Sequence, residues 1–567
     1  MSRNLLSLLF IFLFTFFSSH VVYAQVGQPE SFKNGVVTSA DQYASEAGLE
    51  ILQKGGNAID AAVAVQFALA VTLPRAGNIG GGGFMVLHTQ NGEVNTLDFR
   101  EKAPSRASRD MYLDEDGNYL SEKSKIGGLA SGVPGTVDGM ITALERYGTF
   151  ALEVVMEPAI RLAEEGYTLT HSQARSLNSA ADRLREFEGS REIFIKPDGS
   201  PWNAGDQFVQ RDLAETLKRI ANMGRRGFYS GLTGRMIVDE MRRAGGIITL
   251  RDLRDYKSVW RDPIKAEFMD YELFMMPPPS SGGIVFKQVL EMLHELNIEE
   301  YSLNSADYVH RLAESFRRSF ADRNYWLGDP DYANVPMEEL QNNRYLTNRI
   351  SNFDPKNASS SEDISHGEFN EYEESDETTH FNVADQYGNV VAVNTTLNGS
   401  FGSFVTVSGA GFLMNNEMDD FSAKPGEPNM FGLIGAEANS IEPGKRMLSS
   451  MSPTIAIKDG KPVFAGGGAG GPRIITATLQ NFLNIALFDM NALEAISAPR
   501  IHHQWLPDQL YVEGLYFSED TIHNLTEYGH QVQKIGNIAL THLILIDPEG
   551  LMQGAADSRS YGSVAGY

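Results

Sequence analysis

The sequence predicts a mixed α/β (α+β) protein. Three observations carry this. Apolar residues recur at helical spacing over 41–54 ahead of a capped apolar run at 58–72, residues alternate strictly over 378–384, and a glycine-rich turn at 466–471 joins a strand-like stretch to an apolar helix. Asp41–Lys54 carries Ala44, Ala47, Leu49, Ile51 and Leu52 mostly three or four apart and ends at Gly55-Gly56, as a helix C-cap would. Asn57 is placed to cap a second helix over Ala58–Thr72, which Pro74 stops. Strands follow at Met85–His88 and near Val94–Phe99. Residues 135–350 read as mostly helical, with Met140–Tyr147, Ala151–Glu165, Asp212–Met223 and Ser305–Arg323 the clearest segments and Pro277–Gly283 a sharp loop among them. Thr378–Ala384 and Val390–Leu397 form a hairpin about the turn Asp385–Asn389. Pro462–Ala465 is a strand, Ile474–Leu487 a helix, and Asp489–Ser497 more helix.

The chain has 567 residues, which allows about three to five domains or a few large ones. Hydrophobic residues make up 42% and charged residues 21%, the balance of a globular protein. With 47 basic and 73 acidic residues the net charge is −26, which opposes binding to a phosphate backbone and provides no basic face for anionic lipid. No cysteine is present, so disulfides, thiolate metal sites, Fe–S clusters and a cysteine nucleophile are excluded. Arg3, the apolar stretch Leu5–Phe17 and the small residues Val22 and Ala24 have the layout of a secretory signal over residues 1–24, with Gln25 first in the mature chain. The apolar stretch is shorter than the ~20 residues of a spanning helix. Export without cysteine points to a bacterial periplasm or exterior.

The sharpest compositional break is Ser361–Glu377, dense in Asp and Glu, which reads as a solvated, mobile segment. It ends at the first residue of the hairpin, Thr378. A threonine hydroxyl becomes a competent nucleophile when a base stands beside it, and at a chain N-terminus its own α-amine serves. That amine has a reference pKa of about 7.7–8, close to working pH. Cleavage between Glu377 and Thr378 would create such a terminus. Taken alone, a threonine opening a strand is ordinary.

Thr378-Thr379-His380-Phe381 and the hairpin behind it resemble the γ-glutamyltranspeptidase family. So do Gly55–Ala62, Ala76–Phe84, Asp98–Pro104, Asn415–Phe421, Leu448–Pro453 and the closing Ala565-Gly566-Tyr567. These stretches stand in family order over most of the mature chain. The resemblance implies a four-layer αββα N-terminal-nucleophile hydrolase sandwich. It also implies autoproteolysis at Thr378 into a large chain 25–377 and a small chain 378–567, which associate as one intertwined unit.

By the same resemblance Arg100 binds the α-carboxylate of a γ-glutamyl group, a task suited to a guanidinium's paired donors. Ser449 and Ser450 assist it. Asn398, Glu417 and Asp420 hold the α-ammonium, Thr396 supports the nucleophile's oxygen, and the N–H groups of Gly470 and Gly471 form the oxyanion hole. Read without the family, Arg100 suits a surface salt bridge to Asp98 or Glu101, and Asp419-Asp420 a solvated turn, a reading that still fits Asp419. Gly466, Gly468 and Gly471 also satisfy G-x-G-x-x-G after a strand and before a helix, with Asp489 about 20 residues on, the dinucleotide fingerprint. No clear parallel strand follows, so the oxyanion hole is the favoured reading. Gly80–Gly83 lacks the Lys-Ser/Thr of a P-loop and reads as structural. His502-His503 read as satisfied histidines, and neither H-E-x-x-H nor G-x-S-x-G occurs. Residues 425–444 match a lid loop of some family members, with Phe431 where a tyrosine is common, and Pro472 replaces a serine common after the oxyanion glycines.

The expected activity is transfer of the γ-glutamyl group of glutathione or a similar donor to water, an amino acid or a peptide, with no metal or cofactor. Alternatives are a glutaryl or cephalosporin-type acylase on the same fold, a dinucleotide-dependent oxidoreductase, and a non-catalytic solute-binding protein.

Overall fold

A computed structural model describes residues 28–366, 378–424, 426–427, 429–430, 432–433, 435–559 and 562–567. The predicted signal segment, Glu377 with most of the acidic run, and Phe431 lie outside the described residues.

Two seven-stranded sheets stack face to face. The first runs in the order Ser563–Gly566, Gly35–Ser39, Thr379–Asp385, Val390–Thr396, Gly82–His88, Val94–Asp98, Val259–Arg261. The second runs Ser31–Phe32, Met552–Ala556, Leu540–Ile546, Lys461–Ala469, Thr454–Lys458, Tyr271–Met275, Ile264–Phe268. Neighbours in both sheets are antiparallel.

Strand alternation builds the layers, because successive side chains point to opposite faces. Val390 and Ala392 pack between the sheets with Phe84, Val86, Ile455, Ala465 and Ile544. Their neighbours Val391 and Val393 face the other way, onto the helix Ala58–Thr72. That helix is apolar all round and every residue of it is buried. Asn57 and Asp60 close its N-terminus as a capping box, as the sequence predicts for Asn57. The far sheet is covered by Gly282–Glu295, Ala306–Trp326 and Arg473–Phe488. The result is αββα, in agreement with the expectation. Both sheets draw strands from before and after Thr378, so the strands on either side of that point form one core.

The region 135–350 is mostly helical, as expected, and also carries the strands Val259–Arg261, Ile264–Phe268 and Tyr271–Met275, which the sequence reading missed. Two predictions need correction. The strand expected at Pro462–Ala465 continues through Gly466–Gly468 to Ala469, paired with Thr454–Lys458 as far as Gly466 and with Leu540–Ile546 through Ala469. Those glycines are therefore ladder residues of an antiparallel sheet. A dinucleotide fold needs a parallel βαβ crossover there, and this topology has none at that point. Finally, the acidic segment is not solvated from its start. Ser361 and Ile364 are buried, and their carbonyls accept from Trp505 Nε1 at 3.0 and 2.9 Å.

Candidate active site

The central hairpin sets the site. Thr378 stands just ahead of Thr379–Asp385, and Thr379 pairs with Thr395, so continuing the register brings Thr378 opposite Thr396. Both line one cleft. Thr396 Oγ1 accepts from Asn398 N at 2.7 Å. Asn398 has φ +72°, a left-handed conformation that Asn tolerates better than most residues, and it turns the chain off the strand into the cleft wall.

Gly80–Gly83 explains why the hairpin end is so close-packed. A Cβ on Gly81 would stand 2.0 Å from Thr396 O, and one on Gly83 2.1 Å from Asn394 O. Asn78 pins the same place, donating to Thr396 O at 2.8 Å and accepting from Gly81 N at 3.0 Å. The structural reading of this cluster therefore stands. Gly81→Ala should push Thr396 away from Thr378 and cost about 1–3 kcal/mol as overpacking does. Thermal melting and turnover by the same preparation should fall together, and an unchanged melting temperature would contradict this.

Arg100 follows the strand Val94–Asp98 and is fully buried, so the surface salt-bridge alternative is wrong. Its Nη1 pairs with Glu417 and its Nη2 with Asp420. Nε and Nη2 also donate to the carbonyls of Met447 and Leu448, at 3.3 and 3.2 Å. Glu101 lies 3.7 Å away. Three carboxylates thus share one guanidinium in a dry place. Burial pushes Asp420 up to about 6 and Glu101 up to about 7, in both cases against the pull of Arg100. Burial pushes Glu417 well above the carboxylate range. Burial opposes the Arg100 charge too, but Glu417, Asp420 and Glu101 hold it protonated. Glu417 Oε2 is buried with no hydrogen-bond partner among the described residues and belongs to a residue of the cleft wall. An entering cation would satisfy that oxygen and favour ionisation of the group.

Ser449 and Ser450 line the opposite wall. Ser449 is held by its backbone: its carbonyl accepts from Ser281 N and Oγ, both at 2.7 Å, and its N–H donates to Pro279 O at 2.8 Å. The loop Pro277–Gly283 is thus the bracket for this serine pair. Gly471 lines the cleft as well, while Gly470 lies one residue behind it. Both have positive φ, +137° and +51°, where a side chain would be strained. They turn the chain from the Lys461–Ala469 strand into the helix Arg473–Phe488, whose N-terminus favours negative charge. Pro472 sits at its cap, without disruption.

The structure therefore brings Thr378, Thr396, Asn398, Arg100, Glu417, Asp420, Ser449, Ser450 and Gly471 around one cleft. Asp419 is a correction. It is buried rather than solvated, accepting from Ser124 Oγ at 2.6 Å, Met430 N at 2.9 Å and Tyr119 OH at 3.1 Å, on the far side from Asp420. Sequence reasoning missed Arg323, Asn429, Leu433, Asn439 and Ile474 in the wall. Asn429 and Leu433 belong to the expected lid segment. Asn429 Nδ2 reaches Asp420 Oδ1 at 3.2 Å and Asn439 Nδ2 reaches Asp420 O at 2.7 Å, so the loop braces the acid cluster. His502 is buried against Thr476 and Gln504, and His503 against Asp508 and Trp505 N. His310, Glu314 and His530 also converge. The imidazoles of that group bond each other at 2.8 Å, and Glu314 is committed to Arg317 and Arg318.

An αββα sandwich with a threonine at the mouth of a central strand, opening into a polar cleft, is the architecture of N-terminal-nucleophile hydrolases. Within that class the chain belongs to the γ-glutamyltranspeptidase family, whose sequence profile matches residues 44–567. It is 46% identical over 551 residues to the glutathione hydrolase proenzyme of Escherichia coli (strain K12), covering 97% of this chain and 94% of that one. Among solved structures it is similar to a cephalosporin acylase from Bacillus halodurans, with TM-score 0.85 and 27% identity over 97% of this chain and 99% of that one. A γ-glutamyltranspeptidase chain from Helicobacter pylori is 41% identical, with TM-score 0.57, and matches over 97% of its own length and 61% of this chain. Among the described residues no helix is long and apolar enough to cross a membrane.

Proposed function

We propose that this chain is the precursor of a γ-glutamyltransferase and glutathione hydrolase that cuts itself before Thr378. The observation that carries the reading is the convergence, in one cleft, of Thr378 with a guanidinium and paired serines for a carboxylate and with Glu417 and Asp420 for an ammonium. A γ-glutamyl group presents both charges on one carbon.

In maturation, Thr378 Oγ adds to the Glu377 carbonyl and the peptide C–N bond breaks, leaving an ester and a free α-amine. Water then cleaves the ester. The products are a large chain of 25–377 and a small chain of 378–567, held together by their shared sheets. The length of the Helicobacter chain relative to this one supports such a cut, since a large chain ending at Glu377 would cover a similar share.

In turnover, the Thr378 hydroxyl adds to the γ-carbonyl of the donor and passes its proton to the α-amine. The Gly470 and Gly471 N–H groups receive the developing oxyanion, and Thr396 supports the nucleophile's oxygen. The C–N bond breaks as the ammonium protonates the leaving amine. The γ-glutamyl ester then goes to water, an amino acid or a peptide, the α-amine acting as base. The signal layout of residues 1–24 supports export to a bacterial periplasm, where such donors and acceptors would be met. Two bands on a denaturing gel, a small chain beginning Thr-Thr-His-Phe, and release of p-nitroaniline from γ-glutamyl-p-nitroanilide test the reading together.

A second reading, a glutaryl-type acylase, is favoured by the similarity to the Bacillus halodurans structure. A glutaryl group has the distal carboxylate and lacks the ammonium. Asp420→Asn should therefore raise KM for γ-glutamyl-p-nitroanilide by about 10- to 100-fold, the worth of a charge-assisted bond, and leave a glutaryl anilide nearly unaffected. If the glutaryl anilide is the better substrate of the unaltered protein, the acylase reading wins. The pH dependence follows from the same carboxylate. Asp420 titrates near 6 and must be ionised to hold an ammonium, so KM for the γ-glutamyl donor should climb as pH falls below about 6. The climb should vanish in Asp420→Asn, and a KM flat from pH 5 to 8 in the unaltered protein would contradict it.

A further inference from the structure

Arg323 is a buried cation of the cleft wall that the reaction above does not use. It lies in the last turn of the helix Ala306–Trp326 and is 3% exposed. Of the other buried arginines of this helix, Arg317 and Arg318 pair with Glu314, while Arg311, away from the cleft wall, donates to the carbonyls of Leu296 and Asp307 and to the Tyr301 hydroxyl. Among the described residues no carboxylate lies within ion-pair distance of Arg323. Its donors go instead to neutral oxygens: Nε to Ser281 Oγ at 3.0 Å, Nη1 to Asn324 Oδ1 at 2.9 Å and Nη2 to Ser450 Oγ at 3.1 Å. A buried guanidinium without an anion is costly. Burial draws its pKa down to about 10, with Asp420 the charge opposing that shift, so it is protonated at neutral pH.

The hydroxyls it meets are set by it. A serine oxygen that accepts from a guanidinium keeps its own proton for another acceptor. Ser281 shows the pattern: its Oγ accepts from Arg323 and donates to Ser449 O at 2.7 Å. Ser450 Oγ accepts from the same guanidinium, and Ser450 lines the cleft. One side chain thus bears on the Ser449 carbonyl through the Ser281 hydroxyl and leaves the Ser450 hydroxyl its proton for another acceptor.

We infer that Arg323 is a positioning residue for the donor's α-carboxylate, orienting the Ser449–Ser450 pair and supplying, through Ser450, a second positive charge behind the one on Arg100. This rests on the γ-glutamyl reading above. The α-carboxylate would be the anion that Arg323 otherwise lacks.

The test compares γ-glutamyl-p-nitroanilide with 4-aminobutyryl-p-nitroanilide, the same donor without its α-carboxylate, on matured two-chain protein. Arg323→Gln should raise KM for the γ-glutamyl donor by about 10- to 100-fold, with kcat changed less, as the loss of charge-assisted bonds predicts. It should change the 4-aminobutyryl donor by no more than about 3-fold. Arg323→Lys, whose ammonium keeps the charge without the fork, should fall between. In a Ser450→Ala background Arg323→Gln should add little further loss. Equal losses on both donors, or an undiminished loss in the Ser450→Ala background, would overturn the inference. If Arg323→Gln does not mature, Ser281→Ala makes the same comparison. It removes the Nε acceptor and the hydroxyl bond to Ser449 O while keeping the Ser281 N–H bond to that carbonyl, and should raise KM about 3- to 10-fold for the carboxylate-bearing donor alone; equal effects on both donors would again overturn the inference. Arg100→Ala is the control. If it does not discriminate between the donors, the carboxylate subsite itself is misplaced and the γ-glutamyl reading falls with it. If it discriminates and the Arg323 variants do not, only the role of Arg323 falls.

Discussion

Thr378→Ala should leave one uncut polypeptide and lower kcat/KM for γ-glutamyl-p-nitroanilide by at least about 10⁴-fold, the scale on which loss of a nucleophile acts. The argument is chemical before it is structural. Alanine has no oxygen to form the ester that breaks the Glu377–Thr378 bond, so no α-amine is freed. Without that amine the remaining machinery has neither base nor nucleophile. The fold itself should survive, because Thr378 precedes the Thr379–Asp385 strand and alanine leaves its backbone unchanged. Circular dichroism and melting should therefore resemble those of the uncut precursor. Thr378→Ser keeps a hydroxyl at the same place and should retain both cleavage and turnover at reduced rates. A Thr378→Ala protein that matured and turned over the anilide would end the assignment.

How much of this was legible in the sequence follows the physics of each signal. The helix at 42–53 was plain because cap and periodicity agree, and the one at 58–72 because Asn57 and Pro74 bracket an apolar run. The αββα layering was not readable from pattern alone. Its central strands are buried on both faces, so Val390–Thr396 and Gly82–His88 show little of the alternation that betrays a half-exposed strand. The family motifs supplied that part. The missed strand Ile264–Phe268 is the opposite case, for its apolar residues alternate with Lys265 and Glu267, and the burial follows suit. Attention to helical spacing in the surrounding region hid it. The site divides in the same way. Thr378 announced itself by a break in composition, and Arg100, Glu417 and Asp420 by motif. Arg323 gave no signal, since on a helix rich in Arg it looks like one more solvated charge. Only the fold shows that it turns inward, onto Ser450.

Arg100→Met should have the next largest effect, and a pH-dependent one. On donors it removes the paired bonds to the α-carboxylate, each worth about 1.5–3 kcal/mol when charge-assisted, so kcat/KM for the γ-glutamyl anilide should fall by about 10²–10⁴-fold. On stability it strands Glu101, Glu417 and Asp420 without their shared cation, and breaking a buried pair costs about 3–5 kcal/mol. The carboxylates have a way out, which is to take up protons. In the unaltered protein their folded pKa values already stand above the ordinary 3.9–4.3 of unfolded Asp and Glu. Groups of that kind bind more protons folded than unfolded, so they weaken the fold progressively as pH rises from about 4 through the folded value. Loss of Arg100 raises the folded values further and extends that window upward. The melting-temperature deficit of Arg100→Met should therefore be small near pH 5, where the cluster is largely neutral, and large near pH 8. Arg100→Lys should narrow the deficit at pH 8, since it restores a charge, without restoring the donor's KM, since one ammonium cannot reproduce the fork. An equal deficit at both pH values would show that Arg100 acts by packing rather than by charge.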